Sequence, residues 1–177
     1  MMRFRINGRL LLGVVLWLAN AGCGYHTSGH AVRLPGDIHT LYVPLFENTT
    51  QTFRVEQVVT AAVVQELRSR TNYRVVTSND GTAEATLRGM VNYTANSPLT
   101  YDSVTGRISS SVVTVGMKVS LVNQAGKTLW QNPNYIYREQ YQVSRDAASF
   151  FDESNPAFLR VAQEFAKSLV SNILEAY

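Results

Sequence analysis

The stretch ISSSVVTVGMKVSLVN, residues 108–123, alternates between apolar side chains and polar or small ones. The apolar positions are Val113, Val115, Met117, Val119 and Leu121, and the positions between them are Thr114, Gly116, Lys118 and Ser120. A period of two predicts a β-strand with one buried face and one solvent-facing face. The sheet that contains this strand therefore needs a covering layer on one side only.

Further strands are predicted on both sides of this stretch. They cover residues 38–46, 73–77, 85–93 and, after a hairpin connection at 124–127, residues 128 to about 143 with an interruption at 132–134. In the strand at 85–93, the positions Leu87, Gly89, Val91 and Tyr93 are predicted to face the same way.

The strand predicted at residues 38–46 contains Pro44. Leu41, Val43 and Leu45 are predicted to share its apolar face, with Tyr42 and Phe46 on the other face. Proline cannot donate to a ladder, so this strand either lies at a sheet edge or breaks at Pro44. Residues 47–50 are predicted as a turn.

Two amphipathic helices are predicted, one over residues 53–70 and one that begins at Pro156. Thr52 is the candidate N-cap of the first, and Asn155 that of the second. Their apolar stripes need a sheet to pack on, and the sheet offers one apolar face. We therefore predict an α+β fold, a two-layer sandwich with two helices packed on one face of a mostly antiparallel sheet of about four strands.

The N-terminus has the layout of a secretory signal. Arginines at positions 3, 5 and 9 precede an apolar run at 10–19, which is shorter than the ~20 residues that a membrane span needs. Ala21 and Gly22 come directly before Cys23, the single cysteine of the chain. We predict a signal peptide at 1–22, a lipidated tether at 23–37 and one domain at 38–177.

Residues 18–23 resemble a lipobox, in which the cysteine thiol receives a lipid and the signal is then removed. Asn20 departs from the pattern, because lipoboxes usually carry leucine at that position. The alternative is a plain secretory signal with an incidental cysteine. Gly24 after Cys23, in place of aspartate, is typical of lipoproteins that are transferred to the outer membrane.

Removal of the signal changes the charge of the chain. The full sequence has 16 basic and 13 acidic residues, and three of the basic ones lie within residues 1–22. The mature chain therefore has 13 of each and a formal net charge of zero. This balance does not favour a nucleic-acid-binding function.

The sequence lacks the motifs of a catalytic centre. The histidines are His26, His30 and His39, all near the N-terminus, and no G-x-S-x-G, P-loop or dinucleotide-binding glycine pattern occurs. His26 and His30 are four residues apart, as in a helical metal site, but the glycine between them favours a flexible tether. We predict no enzyme activity, no cofactor and no metal site.

Two stretches have the composition of a binding surface, with Tyr, Phe and Arg together. One is a predicted loop at residues 97–107, which contains Tyr101, Val104 and Arg107. The other is the tyrosine-rich stretch 135–141, followed by Arg145 and the pair at 150–151. The alternative for Tyr135 and Tyr141 is that they fill the sheet face beneath the helices, and we favour that reading.

The mature chain resembles the LptE family of lipopolysaccharide-assembly lipoproteins. The resemblance follows the chain in order: Cys23-Gly24-Tyr25-His26, the strand at 38–46 followed by Asn48-Thr49, Thr60 in the first helix, Ala85-Thr86-Leu87-Arg88-Gly89, and Gly126-Lys127-Thr128-Leu129-Trp130. No single motif is specific, and the ordered set carries the resemblance.

The resemblance implies an outer-membrane, periplasm-facing lipoprotein that sits as a plug inside the β-barrel protein LptD and helps to insert lipopolysaccharide into the outer leaflet. It also implies basic lipopolysaccharide contacts at one end of the sheet, for which Arg107 and Arg145 are the candidates. Ser109, Ser110, Ser111 and Thr114 would then offer hydrogen bonds to the barrel wall. The alternatives with a similar opening strand are a CsgG-like secretion subunit and an LpoB-like activator of peptidoglycan synthases.

Overall fold

The computed structural model describes residues 38–143 and 156–176. The predicted signal peptide and tether, Cys23, Arg145, the pair at 150–151 and Asn155 lie outside the described residues. The predictions made for them stay predictions.

The described residues form six strands and two helices. The strands are β1 (Thr40–Tyr42), β2 (Glu47–Asn48), β3 (Arg74–Val76), β4 (Ala85–Tyr101), β5 (Ile108–Asn123) and β6 (Thr128–Gln142), and the helices are α1 (Val55–Arg70) and α2 (Pro156–Glu175). The sheet order is β3-β1-β4-β5-β6, with β2 also paired to β4.

The two-layer α+β prediction is confirmed, but the sheet is larger and more mixed than predicted. β1 pairs in parallel with both β3 and β4, and β2 pairs in parallel with β4. The long strands β4, β5 and β6 are antiparallel neighbours. The helix α1 connects β1 to β3, because neighbouring parallel strands need a crossover connection.

The first predicted strand is broken at Pro44, and the edge alternative is wrong. β1 ends at Tyr42 and lies between β3 and β4, so Pro44 removes no ladder hydrogen bond. The break also reverses the predicted orientation of the two residues after it: Leu45 is 58% exposed and Phe46 is buried. The predicted turn at 47–50 starts with β2 instead.

The strand β4 runs eight residues beyond its predicted end and includes a bulge. Its pairing with β5 shifts between Val91 and Tyr93, so Asn92 is the extra residue. The bulge turns Tyr93 to the outer face, where it pairs with Gly116 and is 54% exposed. The prediction that Tyr93 shares the face of Leu87 and Val91 is therefore wrong.

The covered face of the sheet forms the core with the two helices. The five apolar residues predicted for the buried face of β5 are all at most 3% exposed. Tyr135 and Tyr141 are each 7% exposed, so they fill the covered face as favoured above. The ring of Phe165 on α2 meets the rings of Tyr135 and Tyr137 edge-on, with centroids 5.5 and 5.7 Å apart.

The start of α1 differs from the prediction. The helix begins at Val55, and its N-cap residue Arg54 has a left-handed backbone (φ 56°) without a side-chain cap. Thr52, the predicted N-cap, instead places its hydroxyl 2.7 Å from the hydroxyl of Thr94 on β4. This bond across the layers competes with the capping role.

A buried hydroxyl links α1 to the broken strand. Thr60 Oγ1 accepts a hydrogen bond from the backbone N–H of Phe46 at 3.0 Å and donates to the carbonyl of Glu56 at 2.6 Å. Thr60→Val keeps the shape but leaves the Phe46 N–H without that acceptor, so we expect a loss of roughly 1–3 kcal/mol in urea unfolding. Thr60→Ser, which keeps the hydroxyl, should lose less. Wild-type stability in Thr60→Val would show that the bond contributes nothing.

Candidate functional site

The predicted loop at 97–107 is a shorter turn between β4 and β5. The turn spans residues 102–107 and is held by the carboxylate of Asp102, which accepts hydrogen bonds from the N–H of Val104 (3.1 Å) and from the N–H and hydroxyl of Thr105 (2.6 and 2.8 Å). Gly106 takes a positive φ of 68° to complete it. The turn is therefore well ordered by its own side chains.

The bonds to Asp102 also set its charge state. The backbone N–H of Thr105, then its hydroxyl and the N–H of Val104, lower the pKa of Asp102. The carboxylate is thus charged at neutral pH, and its contribution to the turn is lost only when the pH falls through that lowered pKa.

Arg107 is exposed at the end of this turn, as predicted from the sequence. Its carbonyl accepts the Asp102 N–H at 2.8 Å, which fixes the backbone and leaves the guanidinium in solvent. Tyr101 (62% exposed) ends β4 beside this turn, Val104 (90% exposed) lies within it, and Leu99 (50% exposed) lies on the same hairpin. This combination of one cation with exposed apolar side chains can contact an anionic amphiphile. Arg145, the second candidate, lies outside the described residues.

The serine-rich part of β5 does not form the polar surface expected of it. Ser110 and Ser111 are 1% and 0% exposed. The hydroxyl of Thr100 lies 2.8 Å from that of Ser109 and 2.6 Å from that of Ser110. The hydroxyls of Thr100, Ser109 and Ser110 therefore link β4 and β5 at the hairpin, whereas the buried Ser111 hydroxyl has no hydrogen-bond partner among the described residues. Thr114 is half-buried.

The outer side of β4, β5 and β6, opposite the helices, is a second candidate surface, which we call the open face. Its central row is Tyr93, Gly116 and Ile136, which are cross-strand partners. A Cβ atom on Gly116 would come within 2.9 Å of the Tyr93 Cβ, so only glycine lets Tyr93 pack this closely over β5. Ile136 is 43% exposed beside it.

Three cations surround this row on the open face. Arg88, Lys118 and Arg138 are all exposed, and they pair across the strands with Ser120, Met90 and Thr114, respectively. The alternation of β5 predicts Lys118 on the solvent side. The surface as a whole is not predictable, because the bulge that brings Tyr93 there has no sequence signal of its own.

A groove of about 790 Å³ lies beside α1, away from both surfaces. Its lining includes the apolar side chains of Val43, Leu45, Ala61 and Val64 and the polar side chains of Gln57, Gln65 and Arg68. Arg68 donates a hydrogen bond to the carbonyl of Val75 on the edge strand β3 at 3.0 Å. None of the residues predicted as site residues lines this groove.

Within residues 38–143 and 156–176, no three His, Cys, Asp or Glu side chains come together as a possible metal site. In the same ranges, neither helix is long and apolar enough to cross a membrane.

Comparison with protein families gives one match that covers most of the chain. The model of the LptE family, described as lipopolysaccharide-assembly, matches residues 38–174. These residues include all six strands and all but the last residue of α2. No individual curated protein matches the sequence.

Solved structures resemble the chain at low sequence identity. Protein XCC0632 from Xanthomonas campestris is 12% identical, with a TM-score of 0.55 over 77% of this chain and 84% of that one. Rare lipoprotein B from Shewanella oneidensis is 18% identical, with a TM-score of 0.41 over 76% and 92%. Lipoprotein B from Nitrosomonas europaea is 14% identical, with a TM-score of 0.47 over 85% and 88%. The first of these likenesses supports the fold.

Proposed function

This chain belongs to the LptE lipopolysaccharide-assembly family, and on that premise we propose that it is an outer-membrane lipoprotein that acts with the β-barrel LptD. In this role it is the plug and assembly partner of the barrel, and the pair inserts lipopolysaccharide into the outer leaflet. The role is one of binding and support, without catalysis or a cofactor.

The family match over residues 38–174 is the observation that carries this proposal. It favours the LptE-like reading over the CsgG-like and LpoB-like alternatives that the opening strand left open. Lipidation of Cys23 would hold the domain on the periplasmic side of the outer membrane. The partnership is tested by extracting the tagged protein in mild detergent and identifying LptD in the eluate.

The surface of the described domain suits a barrel interior. The lumen of a large outer-membrane barrel is polar. The open face offers hydroxyl, amide and basic groups around a small apolar row, so polar walls can be contacted without burying a large apolar patch. A tether of the predicted length, residues 23–37, would be long enough for the domain to reach such a lumen from the membrane surface.

We propose that Arg107 contacts a phosphate of lipopolysaccharide. A guanidinium can hold a phosphate through two hydrogen bonds, and Tyr101 and Val104 can cover sugar or acyl chain beside it. A charge-assisted contact contributes roughly 1.5–3 kcal/mol, so Arg107→Asp should weaken binding of purified lipopolysaccharide by about ten-fold or more. The melting temperature should not fall, because the side chain is exposed.

The matched control is Lys127→Asp, which reverses an exposed cation in the turn at the opposite end of β5. It should leave lipopolysaccharide binding unchanged. Equal binding by wild type and Arg107→Asp would place the contact elsewhere, and Arg145→Asp would then be the next variant to measure.

A further inference from the structure

Among the described residues, no helix covers the open face of the long hairpin strands. The helices and the groove lie on the opposite side, and the open face is formed by β4, β5 and β6 alone. Its central row presents an aromatic ring and a branched apolar side chain to solvent, at Tyr93 and Ile136. Exposed Tyr and Ile side chains held on a rigid sheet are typical centres of a protein interface.

The charged side chains on the open face are all basic. At the outward positions of β4, β5 and β6 the charged residues are Arg88, Lys118 and Arg138, and none is acidic. Glu47 on the short strand β2, opposite Met90, is the nearest outward-facing acid in the ladder. The salt bridges of the described residues lie elsewhere, between Arg70 and Glu66 and between Lys167 and Glu164. The three cations are thus available to a partner.

The spacing of the cations favours an extended partner. Arg138 on β6 lies opposite Thr114 on β5. Thr114 and Lys118 are four residues apart, which is roughly 13 Å along the strand. Cations held that far apart on the backbone suit several anionic groups better than a single one. The cations lie on either side of the Tyr93–Ile136 row, which is the arrangement of an apolar centre with a charged rim.

We infer that the open face docks on an acidic protein surface, and that this surface is a patch of the inner wall of the barrel partner. The inference rests on the proposed function, since it names the face of the plug that meets the wall and the charge of the wall at that point. Tyr93 and Ile136 bury their exposed area at the centre of the contact, and Arg88, Lys118 and Arg138 pair with carboxylates around it. Such charge complementarity sets the orientation of a docked domain more than its raw affinity.

The test is co-expression of the full chain with LptD of the same organism, followed by purification through a tag on the lipoprotein in mild detergent. Lys118→Glu/Arg138→Glu should lower the LptD recovered per lipoprotein by about ten-fold or more, because like charges would then face each other. Lys118→Gln/Arg138→Gln should give a smaller loss. The difference from the wild type should narrow as the salt concentration of the wash rises, because salt screens the charges on both proteins.

The matched control is Lys127→Glu/Arg160→Glu, which reverses one exposed lysine and one exposed arginine that lie off the open face. It should retain LptD at the wild-type level. All variants should keep the wild-type melting temperature, which separates a docking defect from misfolding.

Wild-type recovery of LptD by Lys118→Glu/Arg138→Glu would overturn the docking face and leave the partnership intact. Absence of LptD from the wild-type eluate would overturn the proposed function itself. A third arm uses vesicles that contain phosphatidylglycerol. If the double reversal loses vesicle binding while LptD recovery is unchanged, the face binds an anionic lipid surface and the inference is wrong.

Discussion

Val59→Asp should remove a large part of the stability of the domain, the largest stability effect we expect from a single substitution. Val59 is 1% exposed on the sheet-facing side of α1. Its neighbours in the core are apolar, so a carboxylate there has no partner and must either stay charged without solvation or bind a proton. The cost should be several kcal/mol, against a total stability of about 5–15 kcal/mol for a domain.

The control for this substitution is Ala61→Asp, two residues further along α1 on its exposed side. It adds the same charge to the same helix and should cost under about 1 kcal/mol. Both are measured by urea unfolding of the mature domain without its lipid. Similar losses for the two variants would contradict the packing of α1 described above.

Cys23→Ala should release the protein from the membrane, the largest effect we expect on its location. The lipid on this residue is the proposed anchor, and stable anchoring depends on the acyl chains attached to it. After cell fractionation we expect the wild type in the membrane pellet and Cys23→Ala, exported behind a signal peptide whose removal does not need lipidation, in the soluble periplasmic fraction. Mass spectrometry of the wild type should find an N-terminal peptide that begins with acylated Cys23.

The melting temperature of the Cys23→Ala protein is the control for this experiment. Cys23 lies outside residues 38–177, which are predicted to form the domain, so the Cys23→Ala domain should keep the wild-type melting temperature. A free thiol on Cys23 of the purified wild type would contradict lipidation. Membrane retention of Cys23→Ala would show that another contact anchors the chain.

The long central strand was predictable because its pattern is local. β5 is found at residues 108–123 as predicted, since five apolar side chains alternate along it without interruption. The helix stripes were equally visible, and α1 and α2 pack on the face that β5 buries. These features alone determine the two-layer α+β class.

The mixed part of the sheet was not predictable, because its pairing is set by contacts distant in the chain. β1 has three residues and β2 has two, too few for a periodic signal. Their parallel pairing with β4 depends on the break at Pro44 and on the Thr60 hydroxyl that holds Phe46. Neither the break nor the hydroxyl contact shows in an alternating pattern.

The two candidate surfaces also differ in whether the sequence predicts them. Arg107 was identifiable because Gly106 and its polar neighbours indicate a turn. The open face was not, because one bulged residue, Asn92, moves Tyr93 to the opposite side of the sheet. If β4 is assumed to alternate without a bulge, Tyr93 is assigned to the core. The open face then has no aromatic side chain among its cations.

The partnership with LptD is the central claim, and its most direct measurement is the composition of the complex that the tagged wild-type protein forms in its native outer membrane. After extraction in mild detergent and size-exclusion chromatography, we predict that the lipoprotein and LptD elute together, one copy of each. Elution of the lipoprotein alone, or as a ring of its own copies, while LptD runs separately, would contradict the claim.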